Sequence, residues 1–103
     1  MTKSDDKRQK NIGEVKMIVE NIRTPAGNRA VRQFIIRDNS VTYFQSYCTI
    51  IAKRDNFGRV YLDQNFWDYS MTTGKYRNIF LHETKRETEK KIKSGQYILT
   101  NLN

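Results

Sequence analysis

Hydrophobic and polar positions alternate from Ile12 to Asn21, with Val15, Met17 and Val19 on one side and Glu14, Lys16 and Glu20 on the other. A period of two predicts a half-buried β-strand. Thr24-Pro25-Ala26-Gly27-Asn28 ends it, because proline fixes φ while glycine and asparagine accept positive φ. Residues 29–37 predict a second strand centred on Phe34, Ile35 and Ile36, followed by a short turn at Asp38-Asn39-Ser40. Residues 41–53 read as the longest strand, with Phe44, Cys48, Ile50 and Ala52 on a core face and Tyr43, Tyr47 and Ile51 opposite. Apolar mass on both sides implies a central position, or a bulge near Ile50-Ile51. Arg54-Asp55-Asn56-Phe57-Gly58 reads as a hairpin loop, and residues 59–63 return with Val60 and Leu62 inward.

The pattern changes after Asp63. Gln64 to Ser70 is aromatic without a period and predicts an irregular packed connection, with Phe66 and Trp67 in the core. Thr72-Thr73-Gly74 predicts the cap of a short helix running to Leu81, with Tyr76, Phe80 and Ile79 towards a sheet. Thr84-Lys85-Arg86-Glu87 fits the capping box T-x-x-E. The helix it opens, 85–93, ends before Ser94-Gly95 with lysines in its last turns, which suits the helix dipole. Its one strong apolar anchor is Ile92, so tertiary contact must hold it; Glu87 with Lys91 and Glu89 with Lys93 read as i,i+4 pairs. Gln96 to Thr100 alternates again as a final strand. The prediction is an α+β fold: an antiparallel meander of about five strands, able to curl towards a small open barrel, with one short helix and one charged helix near the C-terminus. Residues 1–11 read as a flexible basic tail, and residues 12–103 as a single domain.

Composition narrows the class. Counting glycine, 37 of 103 residues are apolar, fewer than the roughly 45–50% of ordinary globular domains. Twelve aromatic residues tip the balance towards a folded domain with a very polar surface. No apolar run is long enough to span a membrane, and the charged N-terminal segment lacks the apolar centre of a secretory signal. A single cysteine makes no internal disulfide and suits a reducing cytoplasm. Cys48 and His82 cannot build a zinc site, and no other cofactor is expected.

Charge supplies the candidate chemistry. Of the net +8, residues 23–59 carry +5 (seven basic against two acidic) and residues 71–103 carry +4 (seven against three), while residues 60–70 carry −2. Arg32, Arg37, Lys53, Arg54 and Arg59 fall in or beside the predicted hairpins, where they would track phosphates if the fold gathers them. Tyr43 and Tyr47, with Phe57, would supply stacking faces. Thr72, Thr73, Gly74, Lys75 and Arg77 cluster at a predicted helix start, where free amides favour anions, though the spacing is not that of a P-loop. The nucleic-acid reading gains if Arg32, Arg37, Lys53, Arg59, Lys75 and Arg77 share a face with exposed Tyr43 or Tyr47, and weakens sharply if they scatter. Asp63 and Asp68 offer oxygen ligands, but the surrounding segment lacks the glycine and terminal glutamate of a calcium loop. His82 has no nucleophile motif nearby, and Cys48 reads as a small buried hydrophobe.

The blocks Tyr43-Phe44-Gln45-Ser46-Tyr47, Trp67-Asp68-Tyr69-Ser70 and Thr72-Thr73-Gly74-Lys75-Tyr76-Arg77-Asn78, with Phe80-Leu81, give residues 40–103 a resemblance to a family of small, functionally uncharacterised bacteriophage proteins. The resemblance implies a virus-encoded accessory protein in the bacterial cytoplasm, and it assigns no reaction or catalytic residue. Cys48 and His82 depart from the pattern, so neither is expected to be essential. The reading is a non-enzymatic module that binds nucleic acid or a host nucleoprotein complex. The alternative is an inhibitor of anti-defence or anti-CRISPR type that binds a host protein such as a nuclease, with Trp67, Tyr69 and Tyr76 as anchors. A small metal-dependent nuclease using Asp63 or Asp68 ranks third.

Overall fold

The computed structural model describes residues 16–103. In chain order it contains β1 (Met17–Arg23), β2 (Arg29–Asp38), β3 (Val41–Ser46), β4 (Thr49–Arg54), β5 (Val60–Asp63), α1 (Met71–Leu81), α2 (Lys85–Lys93) and β6 (Tyr97–Thr100). The strands form one open sheet in sequential order, so β1 and β6 are not neighbours and no barrel closes among the described residues. The first five strands make an antiparallel meander. The last joins β5 in parallel, Leu62 opposite Leu99, because the two-helix connection reverses the chain before it returns. The fold is thus the expected α+β class with six described strands. The predicted tail at 1–11 and the start of the first strand lie outside the described residues.

The sixth strand arises where the sequence reading saw none. Residues 41–53 are not one strand: the chain reverses at Tyr47-Cys48, pairing Ser46 with Thr49. Neither turn residue is glycine or asparagine, so ordinary turn chemistry does not mark it. Tyr47 takes the left-handed conformation (φ 58°), uncommon for an aromatic residue, and its N–H donates to the Arg32 carbonyl at 2.8 Å. Cys48 is therefore exposed at a hairpin tip rather than buried in mid-strand. The bulge expected near Ile50-Ile51 is present: Gln45 pairs with Ile50 but Phe44 with Ala52, leaving Ile51 as the extra, fully buried residue. The side chain of Asn103 satisfies both the N–H and the carbonyl of Ile50.

Both helices cover the sheet face that carries Phe44. Helix α1 packs on β3 and β4, and α2 against β6. The core joins Ile22, Ala30, Phe44, Ile51, Ala52, Val60 and Leu62 to Tyr76, Phe80 and Leu81 of α1 and to Tyr97. Met17, Ile18 and Val19 are 61%, 51% and 56% exposed, contrary to the half-buried strand the alternation predicts. Ile22 is the residue β1 buries, and the main helix packing falls on β3, β4 and β6 instead. Phe66 is also outside the core, meeting Tyr69 edge-to-face at 5.7 Å, whereas Trp67 is half-buried against the core.

Helix α1 starts at Ser70, whose Oγ accepts the Thr73 N–H at 3.1 Å, two residues before the expected Thr72 cap. Helix α2 has the predicted capping box, with Thr84 and Glu87 bonding each other's backbone N–H. Its lysines act across the fold rather than along the helix. Lys85 pairs with Asp68 at 2.7 Å, and Lys91 with Glu83 at 2.6 Å. Glu83 also accepts from Thr88 and Tyr97, so the expected tertiary anchor is a carboxylate as much as Ile92.

Candidate nucleic-acid interface

The hydroxyl, glycine and cation block around α1 is drawn into the fold. Thr73 Oγ1 lies 2.9 Å from Ser46 Oγ and accepts from Ser70 Oγ at 3.0 Å, joining α1 to β3 in a buried chain of hydroxyls. Arg77 is 1% exposed. Its guanidinium donates to the Trp67 carbonyl, Asp68 Oδ1 and Asn78 Oδ1, and stacks over the Trp67 ring at 5.1 Å. Gly74 packs against it: a Cβ there would stand 3.5 Å from the guanidinium, an ordinary contact. Burial works to raise the Asp68 pKa, but Lys85 and Arg77 together hold it below the usual carboxylate range. In the depression of about 550 Å³ at this helix start, two of the three cations, Arg77 and Lys85, are thus engaged by the single carboxylate of Asp68. Of the predicted block, Thr72 and Lys75 remain exposed, while Thr73, Gly74 and Arg77 hold the fold together.

A different place gathers three arginines. Strand register sets Arg37, Thr42 and Arg54 side by side in one row on the helix-bearing face of the sheet. Beside this row and the C-terminal end of α1 lies a cleft of about 310 Å³. Arg23, Arg37, Arg54 and His82 line it above an apolar floor of Ile22, Ile35, Ile79 and Phe80. The Arg54 guanidinium lies 4.8 Å over the Phe80 ring and donates to the Phe80 carbonyl at 3.3 Å. Arg37 is paired with Glu20 at 2.5 Å, with both side chains about half exposed. His82 ends α1 in the left-handed conformation (φ 57°), and this turn brings its ring to the cleft. Among the described residues no carboxylate lines the cleft, and Glu20 is the one that pairs with its arginines.

The remaining candidates lie elsewhere. Register aligns Val19, Ile36, Tyr43, Lys53, Tyr61 and Ile98 across the sheet face that neither helix covers. Here Lys53 sits 5.3 Å over the Tyr61 ring. Arg32 is exposed in an irregular stretch of β2 and has positive φ (55°). Tyr47 is at its hairpin tip, and Arg59 closes the β4–β5 loop, its N–H donating to Asp55. The single basic face on which the nucleic-acid reading would be strongest is not formed, which weakens that reading for these residues as a set: Lys53 accompanies Tyr43, Arg37 and Arg54 face the other way, and Arg77 is buried. What the fold brings together is the pair Arg37 and Arg54. Arg23, Thr42 and His82 join them, and the sequence reading singled out none of these three.

The carboxylates considered for metal chemistry have internal partners. Asp63 accepts from the N–H groups of Asn65, Phe66 and Leu102 and from the Asn103 amide. Burial opposes its ionised form, yet these donors keep its pKa below the ordinary value. Among the described residues no cluster of His, Cys, Asp or Glu has metal-site geometry. No described helix is long and apolar enough to cross a membrane.

The geometry defines an α+β module with an open sheet, helices on one face and an arginine-lined cleft beside them. Residues 14–96 match DUF8033, a family of unknown function, and the chain belongs to that family. No curated protein and no solved structure matches it.

Proposed function

We propose that this chain is a non-enzymatic accessory module that binds nucleic acid, with the cleft at Arg23, Arg37 and Arg54 receiving the phosphate backbone. The observation that carries the reading is the cross-strand row Arg37, Thr42, Arg54, which holds two guanidinium groups on either side of one hydroxyl. Arginine suits this role because its planar fork meets phosphate oxygens in pairs and remains charged at any physiological pH. The resemblance of the YFQSY and WDYS-x-TTGKYRN blocks to bacteriophage proteins supports a viral origin and action inside a bacterial host cell. Titrating labelled single- and double-stranded DNA and RNA across a salt series tests the reading. Binding should weaken steadily as salt rises, since each phosphate contact releases counterions. Micromolar or weaker binding with no salt slope overturns it.

A second reading, an inhibitor that docks on a host protein such as a nuclease, draws on the exposed run Met17, Ile18 and Val19. Capture from nuclease-treated host lysate separates the two. A partner retained by wild-type protein and lost in Val19→Glu favours docking; loss of all partners on nuclease treatment favours nucleic acid.

A further inference from the structure

We infer that the arginine cleft takes an unpaired nucleotide of a single strand, with its base stacked on Arg54 and its phosphate on Arg37 and Arg23; this rests on the nucleic-acid reading above. Three features point to it. First, a site for duplex backbone needs only exposed cations, yet this cleft has an apolar floor of Ile22, Ile35, Ile79 and Phe80 beneath its charged rim. A phosphate alone cannot cover such a floor. A base attached to it can. Second, the volume of about 310 Å³ stands at the small end of ligand pockets, which run from about 300 to 1,000 Å³, and suits one small organic unit rather than a helix of paired strands. Third, Arg54 is held at two points, over the Phe80 ring and at the Phe80 carbonyl. Its guanidinium carbon lies 4.8 Å over the Phe80 ring, itself stacked on Phe44 at 5.9 Å, and Arg54 lines the cleft, where a base would meet it. A planar cation fixed this way is a stacking platform as well as a charge.

Arg37 supplies the complementary part. It stands across Thr42 from Arg54, and its present partner is the half-exposed Glu20 carboxylate, an anion occupying the place a phosphate would take. Binding then exchanges one oxyanion for another on Arg37 while the base enters over the floor. The recognition is of base and phosphate together, without sequence preference, because every base has a stackable face.

The test uses the full chain and three probes of equal length: an oligothymidine strand, a blunt duplex, and a strand of abasic sites with the same backbone. Fluorescence anisotropy should give the oligothymidine strand at least roughly tenfold tighter binding than either of the others. In Arg54→Lys, which keeps the charge and loses the plane, that preference should collapse while the salt slope stays within error. Equal binding of the abasic strand or the duplex by wild-type protein overturns this inference and leaves the nucleic-acid reading standing. No binding of any probe overturns both.

Discussion

The two faces of one sheet put similar side chains to different ends. Phe44 and Tyr43 are adjacent in β3, yet Phe44 is fully buried under α1 and Tyr43 lies half-buried on the face both helices leave uncovered. Lys53 and Arg54 are adjacent in β4: the lysine rests on Tyr61 on the uncovered face, and the arginine is locked over Phe80 in the cleft. Contacts from α1 hold the arginine at both its ring and carbonyl partner, whereas the lysine has a strand neighbour's ring alone. On the uncovered face a cation sits among apolar neighbours with no second cation in its row.

The sharpest way to break this comparison is through stability. Phe44→Ala should cost about 3–5 kcal/mol, since it removes a fully buried ring. Tyr43→Ala should cost no more than about 1 kcal/mol, the scale of a cross-strand pair. Urea unfolding of both variants checks this, and equal losses would mean the uncovered face is packed after all. Arg77→Met should lose about 3 kcal/mol by leaving Asp68 and the Trp67 carbonyl without their shared partner. If the block around α1 were instead a ligand site, that variant would unfold like wild type.

The anchor of α2 gives a pH-dependent test of the covered face. Burial opposes ionisation of Glu83, but Lys91, Thr88 and Tyr97 hold its carboxyl below the usual glutamate range. A carboxyl that titrates lower when folded adds stability that is complete above its unfolded value. That stability is lost as the pH falls through the lower folded value. Urea midpoints measured down a pH series should therefore drop in this acid window, and Glu83→Gln should flatten the drop. A smaller effect concerns Glu20. An exposed ion pair is worth about 0–1 kcal/mol, so Glu20→Gln should tighten nucleic-acid binding by up to about fivefold as it frees Arg37. Weaker binding in Glu20→Gln would show that Glu20 positions Arg37 rather than competing for it.

Much of the fold was legible because its signals are local. The Thr84 to Glu87 capping box, the 24–28 turn and the inward Val60 and Leu62 all follow from short-range chemistry. One half of the site was legible in part: the turn was read at Asp38-Asn39-Ser40, but Asp38 pairs with Val41, so the two-residue turn Asn39-Ser40 sets Arg37 opposite Thr42 rather than Val41. The other half was not. A reversal at Tyr47-Cys48 carries no glycine, asparagine or proline to mark it. The bulge at Ile51 then shifts the register by one residue, so Arg54 rather than Lys53 faces Thr42. Without that single residue the two cations would exchange faces. Arg77 misled for the opposite reason: a cation beside glycine and hydroxyls at a helix start looks like an anion site, and only the tertiary fold reveals Asp68, Trp67 and Asn78 as its partners.

The central claim is that binding belongs to the cleft and not to net charge. Two charge-matched double variants test it directly: Arg37→Gln with Arg54→Gln in the cleft, and Lys53→Gln with Arg59→Gln outside it. Their affinities for a short oligothymidine strand, measured across a salt series with thermal melts confirming that both fold, give the answer. The cleft variant should lose at least roughly tenfold in affinity and flatten the salt slope by about two phosphate contacts, while the other stays within about threefold of wild type. Equal losses in the two variants would contradict the account.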